Sequence, residues 1–536
     1  MTNFAGFLEG YSMDAEIIII GGGAAGLMAA IAAAEKLRHG VATGAEEKSL
    51  ASTIVQGERS GGDSMAVGSG DRSMKEEGGL SLITKVVVIE KMPRVARKMM
   101  ISGKGRCNFS NAKKWNEFSQ HIRSKSNFLR PAFYTLDPQG TIALFEEGGL
   151  RSVVERGDRV FPESHLASDV VDTLVRMAKN LGVRIETGCE VKEIVAAGNV
   201  SKEIRGVSEG KKIASDRGGY NRIVASEAGK GEDSLEENTE TVFIIKTASG
   251  EWRSKKVIIA TGGLSYPSTG SSGDGYAWAR TFGHSIRTTF PSLTAMVPRG
   301  YKTEPPEKGG HLDRSVPLSE MGRLLCGVQL RNVGAVLRDG GNVLQEETGD
   351  LDFKDGGIEG PIGFRLSRSC VWSVINGGRP VVTLDLKPGV KAQELSERVG
   401  RLWDEVRNDP RSRRLSLVQM YRILLGKLMP RELIAAFDKY HPEIFARRPL
   451  STEAIAKALK RWEFPIAGYV GYERCVVTAG GVSTDEVFPK TMESRLQRGL
   501  YLAGEVLDID CDTGGYNMQC AFSTGWLAGQ SAATTG

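Results

Sequence analysis

The first apolar segment of the chain is typical of a buried parallel strand that leads into a helix. Residues 16–20 read E-I-I-I-I, a short β-branched run. The glycines between 21 and 26 predict a turn, and the alanine-rich stretch 27–38 predicts a helix. Further apolar strands are predicted at 85–90 (K-V-V-V-I-E) and at 257–260. This alternation of strand and helix predicts an α/β fold.

Two long polar stretches interrupt these elements, at about 40–79 and about 201–240. Both are rich in Gly, Ser, Glu and Lys and have no sustained hydrophobic period. Such segments bury too little apolar surface to offset the entropy lost on ordering, so we interpret both as flexible insertions. The second insertion separates a strand predicted near 184–195 from another near 241–247.

The middle of the chain has a different pattern from its two ends. Residues 291–390 are predicted to be β-rich, and residues 392–461 carry apolar side chains at helical spacing. The final section returns to the opening pattern, with strands predicted at 474–478 and 500–503 and a helix from about Asn517. We therefore predict one domain formed by 14–290 and 474–536, with an inserted β-rich and helical domain at 291–473.

Composition and charge narrow the classes of function. A chain of 536 residues exceeds one ordinary core. The net charge of +5 gives no argument for nucleic acid or for an anionic membrane, and we expect neither as a partner. The seven cysteines include no C-x-x-C pair, which indicates free thiols in a reducing, cytoplasmic compartment. Residues 17–34 are uncharged, but their glycines and the preceding Asp14 and Glu16 argue against a membrane span or signal peptide.

The turn after the first strand has the spacing of a dinucleotide-binding fingerprint. Gly21 would permit the tight turn, Gly23 would let the backbone approach a pyrophosphate, and Gly26 would let helix and strand pack closely. The following helix would direct its N-terminal N–H groups at the phosphates. Glu90 ends the second strand, where an acidic residue binds ribose hydroxyls, once the polar insertion is set aside.

Residues 97–108 form a basic, glycine-containing segment, R-K-M-M-I-S-G-K-G-R-C-N. It is either a flexible loop or a cradle beside a cofactor, with Arg106 and Asn108 as hydrogen-bond donors. Cys107 is either a reactive thiol beside a flavin or, more simply, a small buried side chain.

Near the C-terminus, Gly504-Glu505 could hold the polyol chain of a flavin, and a helix beginning at Gly514-Gly515 could direct its dipole at the flavin ring. The D-x-D-x-D run that starts at Asp508 lacks the Gly and Glu that a calcium loop requires. Because the six histidines form no ligand motif either, we expect no metal.

These motifs together resemble the BaiN/YhiN-type family of NAD(P)/FAD-dependent oxidoreductases, also called the aminoacetone oxidase family. The most specific segments are I-S-G-K-G-R-C-N and E-V-L-D-I-D-C-D-T-G-G-Y-N, and further matches such as A-T-G-G-L-S-Y-P-S-T-G are spread over most of the chain in family order. The resemblance implies a Rossmann-like FAD-binding domain of the GR2 flavoprotein type. It also implies an inserted domain that follows the A-T-G-G-L-S-Y-P-S-T-G segment. The polar insertions, Lys104 and Cys511-Asp512 depart from the family pattern.

The resemblance also implies which residues contact FAD. The predicted cofactor residues are Gly21, Gly23, Ala24, Ala25, Gly26, Glu90, Lys91, Lys98, Ser102, Gly105, Arg106, Cys107, Asn108, Val191, Thr261, Gly262, Gly504, Glu505, Gly515, Tyr516 and Asn517.

The expected activity is hydride transfer through flavin N5. NAD(P)H, as a transient reductant, or an organic donor would supply the hydride, and a small organic acceptor such as an activated C=C, or oxygen, would receive it. Arg106, Tyr266 and Tyr516 are the candidate proton donors. The alternatives are a flavoprotein of tRNA modification and a non-catalytic dinucleotide-binding protein. The substrate and the oligomeric state stay open.

Overall fold

The computed structural model describes residues 14–39, 84–197, 241–446 and 451–534. The two polar stretches predicted to be flexible insertions lie outside these residues. No helix within the described ranges is both long enough and apolar enough to cross a lipid bilayer.

The first strand, the turn and the first helix form as the hydrophobic pattern predicts. Strand β1 spans Ala15–Ile20, helix α1 covers 24–39, and strand β2 spans Thr84–Glu90. β1 lies in the interior of the sheet, and its isoleucines are buried on both faces. A continuous apolar run is typical of a strand in a sheet that helices cover on both sides.

Several short elements follow β2 and pack beside the sheet. They are α2 (Arg97–Ile101), a 3-10 turn (Ser102–Gly105), β3 (Ser110–Asn111), α3 (Trp115–Phe118), α4 (Ser126–Thr135), α5 (Pro138–Glu147), β4 (Ser152–Glu155), β5 (Arg159–Pro162) and α6 (Ala167–Asn180). Strands β3, β5 and β4 form a small separate sheet.

The prediction of one strand near 184–195 was wrong. Two strands occupy this region, β6 (Arg184–Thr187) and β7 (Val191–Ala197), because Gly188 adopts a left-handed φ of +69° that ends the first. β8 (Val242–Thr247) and β9 (Gly250–Ile259) form a hairpin that continues the sheet. The main sheet has the order β6-β2-β1-β9-β8-β7, and β2, β1 and β9 are parallel.

A second sheet is built from the middle of the chain. After α7 (Asp274–Thr281) and β10 (Ile286–Ser292), its strands are β11 (Met296–Pro298), β12 (His311–Leu312), β13 (Gln329–Asp339), β14 (Asn342–Lys354), β15 (Gly357–Glu359), β16 (Val381–Asp385) and β17 (Trp462–Val470). Strand β11 pairs with both β15 and β17, so six of these strands close into a ring with its own hydrophobic core.

Helices also belong to this second unit. They are α8 (Glu320–Leu325), α9 (Gly360–Ile375), α10 (Ala392–Asn408), α11 (Leu417–Leu428), α12 (Arg431–Tyr440), α13 (Pro442–Ala446) and α14 (Thr452–Lys460). Helix α9 lies within the segment 291–390 that was predicted to be β-rich, and the helix itself was not predicted from the sequence. Its 16 residues begin at Gly360-Pro361, where proline in the first turn is favourable, and bury Leu366 and Cys370.

The last elements return to the first sheet. β18 covers Val477–Val482 instead of the predicted 474–478, and it pairs with β10. β19 (Leu500–Leu502) adds parallel to β9, and α15 spans Tyr516–Thr534. The architecture is therefore the predicted α/β fold, a Rossmann-type sheet with a separate β-ring and helical unit. From the strand pairing we propose that the inserted unit begins near Leu293 and ends near Gly471.

Candidate functional site

A deep cavity lies at the carboxyl ends of β1, β2 and β9, the edge of a parallel sheet where ligands usually bind. The empty space within it, including the part open to solvent, is about 1400 Å³. Fourteen of the predicted cofactor residues line it: Gly21, Gly23, Ala24, Ala25, Glu90, Lys91, Lys98, Ser102, Val191, Thr261, Gly262, Gly504, Glu505 and Asn517.

The three fingerprint glycines have different local requirements. Gly21 has a φ of +104°, and a Cβ there would lie 2.6 Å from the carbonyl oxygen of Ala260. A Cβ on Gly26 would lie 1.9 Å from the carbonyl oxygen of Gly21, so only glycine lets α1 pack this closely on β1. A Cβ on Gly23 would meet no atom within 4 Å, because this position faces the open cavity. Gly21 and Gly26 thus shape the turn and its packing, and Gly23 leaves room for a ligand.

The carboxylate of Glu90 lies beside this turn. Its oxygens accept hydrogen bonds of 2.8 Å from the backbone N–H of Gly22 and of 2.8 Å from that of Met92. These bonds hold the side chain against the cavity while each oxygen keeps a second lone pair for a hydroxyl donor. Next to it, Lys91 forms an ion pair with Asp274, and both residues line the cavity.

Lys98 and Glu505 form a charged pair in the cavity wall. Lys98 Nζ lies 2.6 Å from Glu505 Oε2, and Glu505 Oε1 accepts hydrogen bonds from Ser265 Oγ at 2.6 Å and from the backbone N–H of Thr478 at 2.9 Å. Burial alone would raise the pKa of Glu505, but Lys98 and these donors hold that pKa below its ordinary value. The carboxylate is therefore ionised and fixed in orientation.

The start of α15 completes the wall. Gly514 and Gly515 have φ values of +128° and +97°, and the helix begins directly after them. Asn517 accepts a hydrogen bond of 2.8 Å from the backbone N–H of Cys511 and donates one of 2.9 Å to its carbonyl oxygen. Asn517 thus lines the cavity and also fixes the preceding loop.

Seven predicted cofactor residues do not line the cavity: Gly26, Gly105, Arg106, Cys107, Asn108, Gly515 and Tyr516. A Cβ on Gly515 would lie 2.1 Å from the carbonyl oxygen of Ser110, so Gly515, like Gly26, allows close packing against backbone. Arg106 forms an ion pair with Glu155 and stacks 4.1 Å above the ring of Phe161. Because its guanidinium is held by these partners, the structure gives no support to Arg106 as a proton donor.

The two candidate tyrosines also lie away from the cavity lining. The buried ring of Tyr516 stacks on His121, with a centroid distance of 4.3 Å. Tyr266 is half-buried and donates its backbone N–H to the carbonyl of Tyr472 at 2.9 Å. Burial raises the pKa of both phenols, so both are protonated at neutral pH.

Cys107 is fully buried with a left-handed φ of +54°. Burial raises the pKa of its thiol to about 11, partly opposed by a hydrogen bond with Ser102. A thiol in this state is a poor nucleophile, so the small buried side chain is the interpretation that the structure supports.

Sequence reasoning missed part of the cavity lining, namely Arg94, Arg97, Cys189, Thr269, Gly270, Ser271, Asp274, Trp278, Val476, Met518, Cys520, Ala521 and Thr524. Two signals were available. The S-T-G-S-S-G-D-G segment belongs to the family resemblance, and Asn517, Ala521 and Thr524 recur at helical spacing on one face of α15.

The residues present fit FAD. The glycine turn offers N–H groups of a helix N-terminus to a pyrophosphate, Glu90 offers a carboxylate for ribose, and Glu505 with Asn517 offers polar groups further along. Because Gly23 has no side chain and a Cβ there would meet no atom within 4 Å, the space beside it is free for the cofactor.

A protein-family model described as the HI0933-like protein Rossmann domain matches residues 78–219 and 220–531 of the chain. This match covers more than half of the sequence, and it supports the resemblance noted in the sequence.

Two curated proteins are similar over most of their length. The chain is 27% identical to a 3-dehydro-bile acid delta(4,6)-reductase of Clostridium scindens, over 96% of this chain and 98% of that protein. It is 27% identical to a ribosomal RNA dihydrouridine synthase of Escherichia coli, over 83% of this chain and 91% of that protein. Among solved structures, a 3-ketosteroid-delta4-(5alpha)-dehydrogenase of Rhodococcus jostii RHA1 is 12% identical with a TM-score of 0.41, covering 99% of both chains. That TM-score is too low to carry a functional argument.

Proposed function

The chain belongs to the HI0933-like family of FAD-dependent oxidoreductases, and from this premise we propose that it reduces a C=C bond conjugated to a carbonyl group in an organic substrate. The names of both similar proteins describe this chemistry: a delta(4,6)-reductase acting on a 3-dehydro compound, and a synthase that forms dihydrouridine in RNA. In each, the double bond is polarised by a neighbouring carbonyl.

The observation that carries the proposal is the cavity itself. It joins the dinucleotide turn of α1 to the Lys98–Glu505 pair and to the start of α15, which come from both ends of the chain. When bound there, FAD would supply hydride transfer at its N5 atom. The protein supplies position and electrostatics around it.

Each part of the wall has a distinct task. The N–H groups at the start of α1 would bind phosphate oxygens, and Glu90 would accept hydrogen bonds from ribose hydroxyls. Glu505, fixed by Lys98 and Ser265, would orient polar groups of the ribityl chain. The N-terminal dipole of α15 would stabilise negative charge that develops at this end of the cavity.

NAD(P)H is the reductant that we propose. The sequence has one glycine fingerprint after a strand, so a nicotinamide would bind transiently near the flavin instead of in a second Rossmann domain.

The first test is spectroscopic. Purified protein loaded with FAD is mixed with NADPH or NADH under anaerobic conditions, and the flavin band near roughly 450 nm is followed. Bleaching followed by reoxidation upon addition of a 3-keto-4-ene steroid, with formation of the saturated ketone, supports the proposal. Bleaching that oxygen reverses but the steroid does not would count against a steroid enone as the substrate. Absence of bound FAD would overturn the proposal.

A ribosomal RNA uridine is the second candidate substrate, and the distribution of charge favours it. Residues 391–460 contain 15 lysines and arginines but only 9 aspartates and glutamates, an excess as large as that of the whole chain. Basic surfaces bind phosphate backbones with a strong dependence on salt. Formation of dihydrouridine in isolated ribosomal RNA, with binding that weakens steeply with salt, would select this substrate over a small molecule.

A further inference from the structure

The loop between β19 and α15 runs beside the segment 121–123 and places several charged side chains on one side. The backbone N–H of Arg123 donates to the carbonyl of Asp510 at 2.8 Å, and the N–H of Asp512 donates to the carbonyl of His121 at 2.8 Å. Ile122 and Cys511 form the antiparallel bridge between these bonds. Because side chains alternate along an extended chain, Asp510 and Asp512 project to the same side. Cys511 projects to the other, where its Sγ lies 3.5 Å from Cys520 Sγ on α15.

Each of these two aspartates holds one arginine. Asp512, with a side chain only 3% exposed, accepts hydrogen bonds of 2.6 Å from both Nε and Nη2 of Arg123. Asp510, with a side chain 0% exposed, accepts bonds of 2.7 Å from Nε and 3.2 Å from Nη2 of Arg368. We call Arg123, Arg368, Asp510 and Asp512 the paired-arginine cluster.

The two arginines keep one edge free. Both guanidinium groups donate hydrogen bonds through Nε and Nη2, and neither Nη1 donates one to a residue in the described parts of the chain. The side chains of Arg123 and Arg368 are 33% and 28% exposed, so both arginines are partly accessible to solvent. A buried ion pair stabilises a fold no better than a well-packed apolar pair, whereas buried carboxylates do fix the orientation of a partly exposed guanidinium.

The cluster lies next to the cofactor cavity and joins the two units of the fold. Ile509, adjacent to Asp510 in the chain, lines the cavity. Ser292 donates a hydrogen bond of 3.1 Å to Asp510, and it pairs in register with Val477, which also lines the cavity. Arg368 comes from α9 of the second unit.

We propose that Nη1 of Arg123 and Nη1 of Arg368 bind the carboxylate of a monoanionic organic substrate beside the cofactor cavity. Two planar N–H donors suit the two oxygens of a carboxylate. The two arginines and the two aspartates of the cluster balance in charge, so it lacks the excess positive charge that binding of a polyanion such as RNA requires. The inference rests on the proposed function, because it locates the substrate of that reaction.

The test compares a 3-keto-4-ene steroid acid with its own methyl ester, by calorimetric titration of the FAD-loaded protein in the absence of reductant. The wild-type protein should bind the acid more tightly than the ester by a factor on the order of ten. Arg368→Lys should remove most of this preference, because lysine still pairs with Asp510 but lacks the second planar N–H edge. Arg123→Lys tests the other half of the site in the same way.

Arg331→Gln is the matched control, since Arg331 forms an exposed ion pair with Asp350 on the second sheet. It should keep the full preference for the acid. Melting temperature and flavin content show whether each variant is folded. Equal binding of acid and ester by the wild type, or an unchanged preference in both lysine variants, overturns the inference. Loss of ribosomal RNA binding in the lysine variants, without any acid preference in the wild type, would assign the arginines to phosphate instead.

The comparison of acid and ester binding does not depend on catalytic turnover. Failure of NADPH to reduce the flavin would count against the proposed function but leave the acid preference measurable. Normal reduction of steroid enones without an acid preference would count against the cluster alone.

Discussion

At the scale of single residues, Gly23 and Gly26 make opposite demands although they belong to one motif. Gly26→Ala places a methyl group 1.9 Å from the carbonyl oxygen of Gly21 and must separate α1 from β1. We expect a loss of about 1–3 kcal/mol in the free energy of unfolding of the FAD-free protein, the range for overpacking. Gly23→Ala adds a methyl group in open space, so the FAD-free protein should keep its stability and bind FAD more weakly.

Chemical denaturation without FAD and flavin titration separate these effects. Gly389→Ala is a suitable control, because its Cβ would also meet nothing within 4 Å but lies outside the cavity lining. A Gly23→Ala variant that is destabilised without FAD, yet binds FAD normally, would show that the open space at Gly23 does not serve the cofactor.

Cysteine accessibility provides a second residue-scale prediction. Cys189 lines the cavity and is half-buried, whereas Cys107 is fully buried and its thiol pKa is raised by burial to about 11. Iodoacetamide at neutral pH should label Cys189 in the FAD-free protein and leave Cys107 unmodified. FAD should protect Cys189 but not the half-buried Cys326, which is outside the cavity lining. Peptide mass spectrometry checks all three, and labelling of Cys189 that FAD leaves unchanged would contradict the proposed cofactor position.

At the scale of elements, the Lys98–Glu505 pair ties α2 to the segment after β19 and makes stability depend on pH. The pKa of Glu505 is below its ordinary value of 4.5, so its stabilising effect is present above that pH and is lost as the pH falls through the folded-state pKa. Glu505→Gln should therefore flatten the fall in melting temperature of the FAD-free protein between about pH 5 and pH 3.

The control for this titration is Glu463→Gln, because the Glu463 side chain pairs with Arg461 on the surface. It should retain the wild-type slope. Equal slopes for Glu505→Gln and the wild type would show that the buried pair does not govern acid stability.

Elements with strong local signals were predicted from the sequence, and those set by distant packing were not. The β-branched run of β1 and the alanine-rich sequence of α1 indicate strand and helix without reference to distant residues. Both elements therefore form within three residues of the predicted bounds. β18 was displaced by three residues, because its pairing with β10 decides which residues extend. Helix α9 was missed because the glycine and proline at its start also occur in turns of β-rich segments.

The candidate site divides in the same way. Residues of the glycine turn and of the Gly504-Glu505 step line the cavity, since backbone geometry at those positions is dictated locally. Arg106 and Tyr516 lie beside the same motifs, but their side chains turn toward Glu155 and His121, and no local pattern encodes that choice. The bond between Arg368 and Asp510 joins residues 142 apart in sequence, so a single sequence gives no sign of it.

At the scale of the whole molecule, the cofactor cavity is a junction between the two ends of the chain. β19 completes the sheet against β9, and Gly525 and Gly529 of α15 allow it to pack on the backbone of α1 at Ala25 and Ala29. A ligand held by both α1 and α15 therefore stabilises a contact between segments almost 500 residues apart. A ligand that binds only when both segments are in place raises the free energy needed to separate them, and it does so more strongly when it binds more tightly.

Hydrogen–deuterium exchange should detect this linkage. Saturating FAD should slow exchange in peptides from 20–34, 89–102 and 504–524 together, because all three contain cavity-lining residues. Strands β13 and β14 contribute no residue to that lining and should exchange at the same rate with and without FAD. ADP is the matched probe: it shares the adenosine and pyrophosphate groups and should protect the first two segments while leaving 504–524 unchanged. Equal protection of 504–524 by ADP and FAD would mean that the start of α15 does not contact the flavin half, and the assignment of Glu505 and Asn517 would then be wrong.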